Sequence, residues 1–135
     1  MAAQSSAQTV LVIDDTPDSL RILRIRLESW GFRALTAETE DQGLNLAQNE
    51  HPDLIILDML MPNMNGDEMY NCLHDNPKTR NIPVLFVSAL GIPEHVKEEM
   101  GLAGGEDYIL KPFEADDLKR HIDACLSRHN GNGKH

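Results

Sequence analysis

The sequence predicts an α/β domain in which helices cover both faces of a parallel β-sheet. Five short apolar blocks alternate along the chain with segments whose apolar residues recur every three or four positions. The blocks lack the alternating polar residues of a half-exposed strand, which indicates strands that are buried on both faces. Strands and helices that alternate in this way form a parallel sheet with right-handed crossovers. We therefore expect a doubly wound, five-stranded parallel sheet.

The first half of the chain supplies two of these strands and two helices. Thr9–Ile13 is apolar and β-branched, and it stops at two acidic residues. Pro17 suits the first turn of the helix that follows, which ends at Gly31. The apolar stripe of that helix consists of Leu20, Leu23, Leu27 and Trp30. The next strand is predicted at Phe32–Ala37 and the next helix at Thr39–Asn49, with Leu44 and Ala47 facing inward.

The second half continues the alternation. Its predicted elements are the strand Asp53–Leu57, a turn-rich loop Met59–Gly66, a helix carrying Met69, Tyr70 and Leu73, the strand Ile82–Val87, a helix from Pro93 to Ala103, the strand Glu106–Leu110, and a last helix from near Phe113 with Leu118, Ile122 and Cys125 inward. Cys72 and Cys125 lack metal-type spacing, so we expect both to be reduced packing residues.

Length and composition limit the function classes. The 135 residues suffice for one core, predicted at 9–126 between flexible ends at 1–8 and 127–135. Twelve basic and 22 acidic residues give a net charge of −10, which argues against direct binding to nucleic acid or anionic lipid. The sequence has no membrane-length apolar run and no signal-peptide pattern. We therefore expect a cytoplasmic protein without membrane or nucleic-acid partners.

Polar side chains gather where the predicted strands end. Asp14 and Asp15 follow the first strand, Asp58 the third, Ser88 the fourth and Lys111 the fifth. The carboxyl ends of parallel strands share one edge of the sheet, and ligands of doubly wound sheets bind there. Each residue alone could be an ordinary solvated strand end. Together they predict a site with three carboxylates, a hydroxyl and an ammonium group.

That combination suits phosphoryl transfer. Two carboxylates 4 Å apart repel by about 4 kcal/mol at an effective dielectric constant near 20, so the cluster favours a cation. A site with few oxygen ligands and an open shell suits Mg²⁺. Asp58 can act as the nucleophile. Ser88 and Lys111 can bind the remaining phosphoryl oxygens.

The sequence resembles the receiver domain of two-component response regulators from Thr9 to Leu126. The resemblance is carried by four motifs, which are Val12–Asp15, Leu57–Gly66, Val87–Ala89 and Gly104–Phe113. It implies a (βα)5 flavodoxin-like fold with strand order 2-1-3-4-5. It also implies that Asp58 accepts a phosphoryl group from a phosphohistidine on a sensor histidine kinase or a histidine phosphotransfer protein.

The resemblance further assigns the metal ligands. Asp15 would bind Mg²⁺ directly, Asp14 would act mainly through a metal-bound water, Asp58 would supply one oxygen, and the backbone carbonyl of Leu60 would complete the protein ligands.

The resemblance also assigns a switch. Ser88 and Lys111 would contact the phosphate, and Ser88 and Tyr108 would move together on phosphorylation. The readout surface would be the fourth helix, fifth strand and fifth helix of the predicted order. A phosphorylation-dependent homodimer is one expected use of that surface, and the downstream effector is unknown. The Lys111–Pro112 bond is expected to be cis.

Two departures from the family pattern lie outside this chemistry, namely Asn65 in place of aspartate and Gly105 in place of alanine. Leu60 and Leu90 lie two places beyond the acceptor and the hydroxyl residue, and neither should position a hydrolytic water. We therefore expect slow autodephosphorylation. The protein would catalyse its own phosphorylation and dephosphorylation without being a conventional enzyme.

Two other hypotheses remain. The chain could be a receiver module excised from a larger regulator or hybrid kinase whose output domain is missing. It could also be a small flavodoxin-type cofactor binder, but its first loop lacks the glycine- or hydroxyl-rich sequence that cradles a phosphate, and Asp14 and Asp15 would repel one.

Overall fold

The computed structural model describes residues 7–58, 60–61, 64–88, 108–110 and 113–133. The strands are β1 Thr9–Ile13, β2 Arg33–Ala37, β3 Leu54–Asp58, β4 Leu60–Met61, β5 Met64–Asn65, β6 Val84–Ser88 and β7 Tyr108–Leu110. The helices are α1 Pro17–Ser29, α2 Glu40–Glu50, α3 Gly66–Asp75 and α4 Ala115–Gly133.

Five strands form one parallel sheet in the order β2-β1-β3-β6-β7. Numbered along the chain without the short β4 and β5, this is the predicted order 2-1-3-4-5. The order reverses between β1 and β3, where Ile13 is in register with Leu57. The prediction of a doubly wound parallel sheet is thus confirmed, and the reversal lies next to the acidic residues that follow β1 and end β3.

Each face of the sheet has its own apolar core, as expected for strands that are buried on both sides. One cluster joins Val10, Val12 and Ile56 to residues of α1 and α4, including Leu27 and Leu118. The other cluster joins Leu11, Ile13 and Leu57 to residues of α2 and α3, including Ala47 and Met69. Alternate residues of one strand therefore serve opposite cores, which accounts for the continuous apolar blocks in the sequence.

The first helix begins and ends where its sequence predicts. Thr16 has an extended backbone at the N-cap, and Pro17 occupies the first turn. Leu20, Leu23 and Leu27 are buried. Gly31 ends the segment with a φ of 91°, a left-handed conformation that glycine adopts without strain. The signals at Thr16 and Pro17 begin α1 directly after the acidic residues that follow β1.

Two predictions about the second half need correction. The segment predicted as a loop at Met59–Gly66 contains an antiparallel pair, with Leu60 opposite Asn65 and Met61 opposite Met64. Its turn residues favour such a reversal, and the sequence has too few residues on either side to display a strand period. Cys72 is exposed, whereas Cys125 is buried as predicted. Cys72 lies one position before the buried Leu73, on the outer side of α3.

The last helix extends past the predicted core boundary at residue 126. It continues to Gly133, within the segment 127–135 that the sequence predicts to be flexible. Extending a formed helix costs little, because each added residue gains a hydrogen bond, so the polar sequence does not stop it. The predicted flexibility of 127–135 remains a prediction. The predicted fourth helix at residues 93–103 lies outside the described residues.

Within the part of the chain that the structure describes, no helix has both the length and the apolar character needed to cross a membrane.

Candidate functional site

Two buried carboxylates lie level with each other at the carboxyl edge of the sheet. Asp14 follows β1 directly, and Asp58 is the last residue of β3. Because Ile13 is in register with Leu57, the next residues on the two strands are neighbours, about 4.8 Å apart across the sheet. Asp14 is 3% exposed and Asp58 is 7% exposed, and no other acidic residue with a described exposure is buried. Aspartate side chains are rarely this deeply buried, so this pair marks the edge as a candidate site.

The backbone holds Asp14 in place. Its N–H donates to the carbonyl oxygen of Ala37 at 3.1 Å. Its Oδ1 accepts a hydrogen bond from the N–H of Thr16 at 2.9 Å. This second bond forms an Asx-type turn at the start of α1, so the turn that begins the helix also orients the carboxylate.

Asp15 has a different setting. It is half-buried, and the hydroxyl of Thr16 lies 3.5 Å from its Oδ1, at the outer limit for a hydrogen bond. The structure therefore places the two adjacent acids in unequal environments, with Asp14 held at the sheet edge and Asp15 closer to solvent. Their predicted division into a direct ligand and a water-mediated ligand stays a prediction.

Ser88 completes the described part of the edge. It ends β6 and is 1% exposed. Asp58 is in register with Val87, so Ser88 lies one residue further along the neighbouring strand, about 6 Å from Asp58 between Cα atoms if the strands are ideal. The structure thus places Asp14, Asp58 and Ser88 at the same edge of the sheet, and their predicted roles stay predictions.

The strand β7 precedes Lys111, the predicted ammonium group, in the sequence. Leu110 is in register with Ser88, and Lys111 is the next residue along the chain. The described residues do not include Leu90, Gly105, Lys111 or Pro112. The predicted cis bond between Lys111 and Pro112 therefore also lies outside them. Tyr108 is half-buried and packs against the core on the α2 and α3 side.

The two carboxylates border a recess of about 130 Å³ between the sheet edge and α1. Its lining also includes Ser19 and Arg26 of α1, and Phe113. Most of its other lining residues are apolar, so the two carboxylates, and not the recess itself, mark the candidate ion site. The sequence did not identify Ser19, Arg26 or Phe113 as candidate site residues. For Ser19 and Arg26, the signal would have been their spacing with Ile22, which places these three residues on one side of α1.

The donor set suits a hard cation that keeps most of its water. Among the described residues, no group of three or more His, Cys, Asp or Glu side chains could hold a metal ion. The closed cage that structural zinc requires is therefore not formed there. Mg²⁺ needs only one or two carboxylates with water and substrate oxygens, and Asp14 and Asp58 fit that requirement. Leu60, the predicted carbonyl ligand, lies two residues beyond Asp58 in the short strand β4.

Comparisons with known proteins agree with this geometry. The family model of the response regulator receiver domain matches residues 10–123. A probable transcriptional regulator, ycf27, from Guillardia theta is 35% identical over 124 residues, which cover 91% of this chain and 47% of that protein. The chain spans about half the length of several such curated relatives.

Solved structures share the fold. The N-terminal domain of a response regulator receiver protein from Methanoculleus marisnigri JR1 is 34% identical with a TM-score of 0.72, over 90% of this chain and 98% of that one. A CheY-like receiver domain protein from Methanospirillum hungatei JF-1 is 25% identical with a TM-score of 0.82, over 94% and 99%. The sheet, its acidic edge and these matches together show that the chain belongs to the response regulator receiver domain family of two-component signalling.

Proposed function

We propose that the chain is a phosphoacceptor of a two-component phosphorelay and that Asp58 is the residue phosphorylated. The buried pair of Asp14 and Asp58 beside Ser88 supports this most directly, because its negative charge would attract a cation, and a bound cation would in turn attract the phosphoryl oxygens. A purely structural role would not require two carboxylates to be buried next to each other.

The proposed step is a transfer between phosphohistidine and carboxylate. An oxygen of Asp58 forms a bond to phosphorus while the bond between phosphorus and the donor imidazole nitrogen breaks. The electron pair of that bond leaves with the imidazole, and Asp58 becomes an acyl phosphate. Bound Mg²⁺ would supply positive charge to the phosphoryl oxygens. In this proposal Asp14, Asp15, Asp58 and the carbonyl of Leu60 hold the ion.

The remaining residues act on the phosphorylated form. The hydroxyl of Ser88 donates to a phosphoryl oxygen, and the ammonium group of Lys111 pairs with another. Ser88 and Tyr108 then shift together, which changes the readout surface and favours an effector or a second copy of the chain. Such a protein speeds its own modification but turns over no separate substrate, so we do not class it as a conventional enzyme.

The partners follow from the same chemistry. The donor would be a sensor histidine kinase or a histidine phosphotransfer protein, and we place the reaction in the cytoplasm. Relatives named as transcriptional regulators are about twice as long as the matched region. The net charge of −10 continues to argue against DNA contact by this domain itself.

Acetyl phosphate with Mg²⁺ tests the phosphoacceptor. We expect the intact mass to rise by one phosphoryl group in the parent and in Asp75→Asn, which removes an exposed acid on α3. Asp58→Asn should show no increase. Equal modification of Asp58→Asn and the parent would show that the acceptor is another residue.

Two alternatives have their own tests. If the receiver is one module of a larger regulator or hybrid kinase, the intact mass of the native gene product exceeds that of this chain. If the fold binds a flavodoxin-type cofactor, the flavin spectrum changes on addition of the protein. The buried Asp14 in the first loop disfavours the flavin hypothesis, because its carboxylate lies where such proteins offer N–H groups to a phosphate.

A further inference from the structure

An aromatic row connects α3 to β6 on the side of the sheet that carries the predicted switch tyrosine. The rings of Tyr70 and His74 are stacked, with centroids 5.8 Å apart and an interplanar angle of 18°. The Tyr70 ring also meets the Phe86 ring at 5.4 Å, tilted by 58°. Both separations are within the range in which aromatic rings attract each other. The row runs from the exposed His74 to Phe86, which is 1% exposed.

Phe86 also lies next to one predicted switch residue, Tyr108, and two residues before the other, Ser88, on the same strand. It is in register with Tyr108 on the adjacent strand, about 4.8 Å away across the sheet. Tyr70 and Tyr108 both pack against the core cluster that contains Phe86. Ser88 lies two residues beyond Phe86 on β6, so its side chain leaves the same face of the strand.

We propose that Tyr70 is a positioning residue of the switch and that the Tyr70–His74 pair carries a second readout of phosphorylation on α3. The inference rests on the proposed function, because it assumes that Tyr108 moves when Asp58 is phosphorylated. Protein interiors have few voids, so a ring that turns inward displaces its neighbours. Phe86 receives that displacement, and the half-buried Tyr70 has more room to yield than the fully buried side chains around Phe86. The movement then reaches the protein surface at His74.

The chain contains only two tyrosines, and they are the two residues of interest. Incorporating 3-fluorotyrosine therefore gives two fluorine resonances, which Tyr70→Phe and Tyr108→Phe assign. Adding Mg²⁺ and beryllium fluoride, which mimics the phosphoryl group, should shift both resonances with one midpoint. In Phe86→Leu, which removes the intermediate ring, the Tyr108 resonance should still shift and the Tyr70 resonance should shift much less.

A second pair of variants avoids a change in the buried core. Tyr70→Leu leaves one fluorine signal, from Tyr108, and should change its beryllium fluoride midpoint by about two- to tenfold, the range expected for one aromatic contact. Tyr70→Phe keeps the ring and should leave the midpoint within about twofold. A merely structural role for Tyr70 would lower the free energy of unfolding without moving this midpoint.

The outcomes separate the two proposals. The coupling is overturned if the Tyr108 fluorine resonance shifts and the Tyr70 resonance does not, or if the beryllium fluoride midpoint is unchanged in Tyr70→Leu. In either case the phosphoacceptor proposal still stands. If neither resonance responds in the parent, the proposed function fails and the coupling fails with it.

Discussion

Replacing Asp14 with asparagine should stabilise the metal-free protein. Asp14 and Asp58 are level on adjacent strands, so their charges are roughly 5 Å apart, and at an effective dielectric constant near 20 they repel by about 3 kcal/mol. Asparagine keeps the oxygen that accepts from Thr16, and its new amide group can donate to Asp58. Attraction between Asp14 and the predicted neighbour Lys111 would be lost and would offset part of this gain. We expect the free energy of unfolding to rise by about 1–2 kcal/mol.

Urea unfolding in EDTA measures this difference directly. A stabilisation of that size should also raise the melting temperature by about 3–8 °C for a domain of this length. The control is Asp75→Asn, which removes the same charge from an exposed position. Its free energy of unfolding should stay within about 0.5 kcal/mol of the parent value.

Magnesium should reduce the difference in unfolding free energy between the parent and Asp14→Asn. Mg²⁺ at ten times its dissociation constant stabilises a protein that binds it only when folded by about 1.4 kcal/mol. The parent should gain this amount, and Asp14→Asn should gain much less because a carboxylate near the ion is gone. The reasoning is refuted if Asp14→Asn is the less stable protein in EDTA, since its hydrogen bonds would then outweigh the repulsion. Equal gains in Mg²⁺ would refute the role of Asp14 at the metal.

Three further predictions concern other parts of the chain. Leu60→Asn should shorten the lifetime of the phosphorylated form about tenfold, less than the ~10²–10⁴-fold of a fully positioned general base, and an unchanged decay of the phosphoryl signal would contradict this. Gly43→Ala should lower the free energy of unfolding by about 1–2 kcal/mol, because the added Cβ would lie 2.8 Å from a side-chain atom of Ile13 and 2.9 Å from one of Met69. If urea unfolding shows no loss of free energy, these side chains can move aside. Thr79→Val should lower the free energy of unfolding by about 1 kcal/mol, because the buried Thr79 hydroxyl donates to the carbonyl oxygen of Leu73 at 2.5 Å. An unfolding free energy equal to that of the parent would show that another group replaces that bond.

Most of the fold could be predicted because its elements carry strong local signals. The blocks Val10–Ile13 and Leu54–Leu57 are entirely apolar, and such blocks have few alternatives to a doubly covered strand. Helix α1 has a proline at its start, a regular apolar stripe and a glycine after its end. Where such signals are weak the prediction failed, as in the β4–β5 pair.

The candidate site could be predicted only as a set of strand ends. Sequence placed Asp14, Asp58 and Ser88 after their strands, and the rule for doubly wound sheets brought them to one edge. It could not supply the register that makes Asp14 level with Asp58, nor the Thr16 hydrogen bond that orients Asp14. These depend on how neighbouring strands are aligned, which no local pattern encodes.

The sequence by itself thus determined the class of fold, the family and the residue types at the edge, because periodicity, turn residues and short motifs are local. Tertiary structure alone decided which carboxylates are buried side by side, that Ser19 and Arg26 of α1 face the recess, and that Tyr70 rests on Phe86 beside Tyr108. Each of these depends on contacts between residues far apart in the chain, and packing at close density fixes such contacts only after the elements have come together.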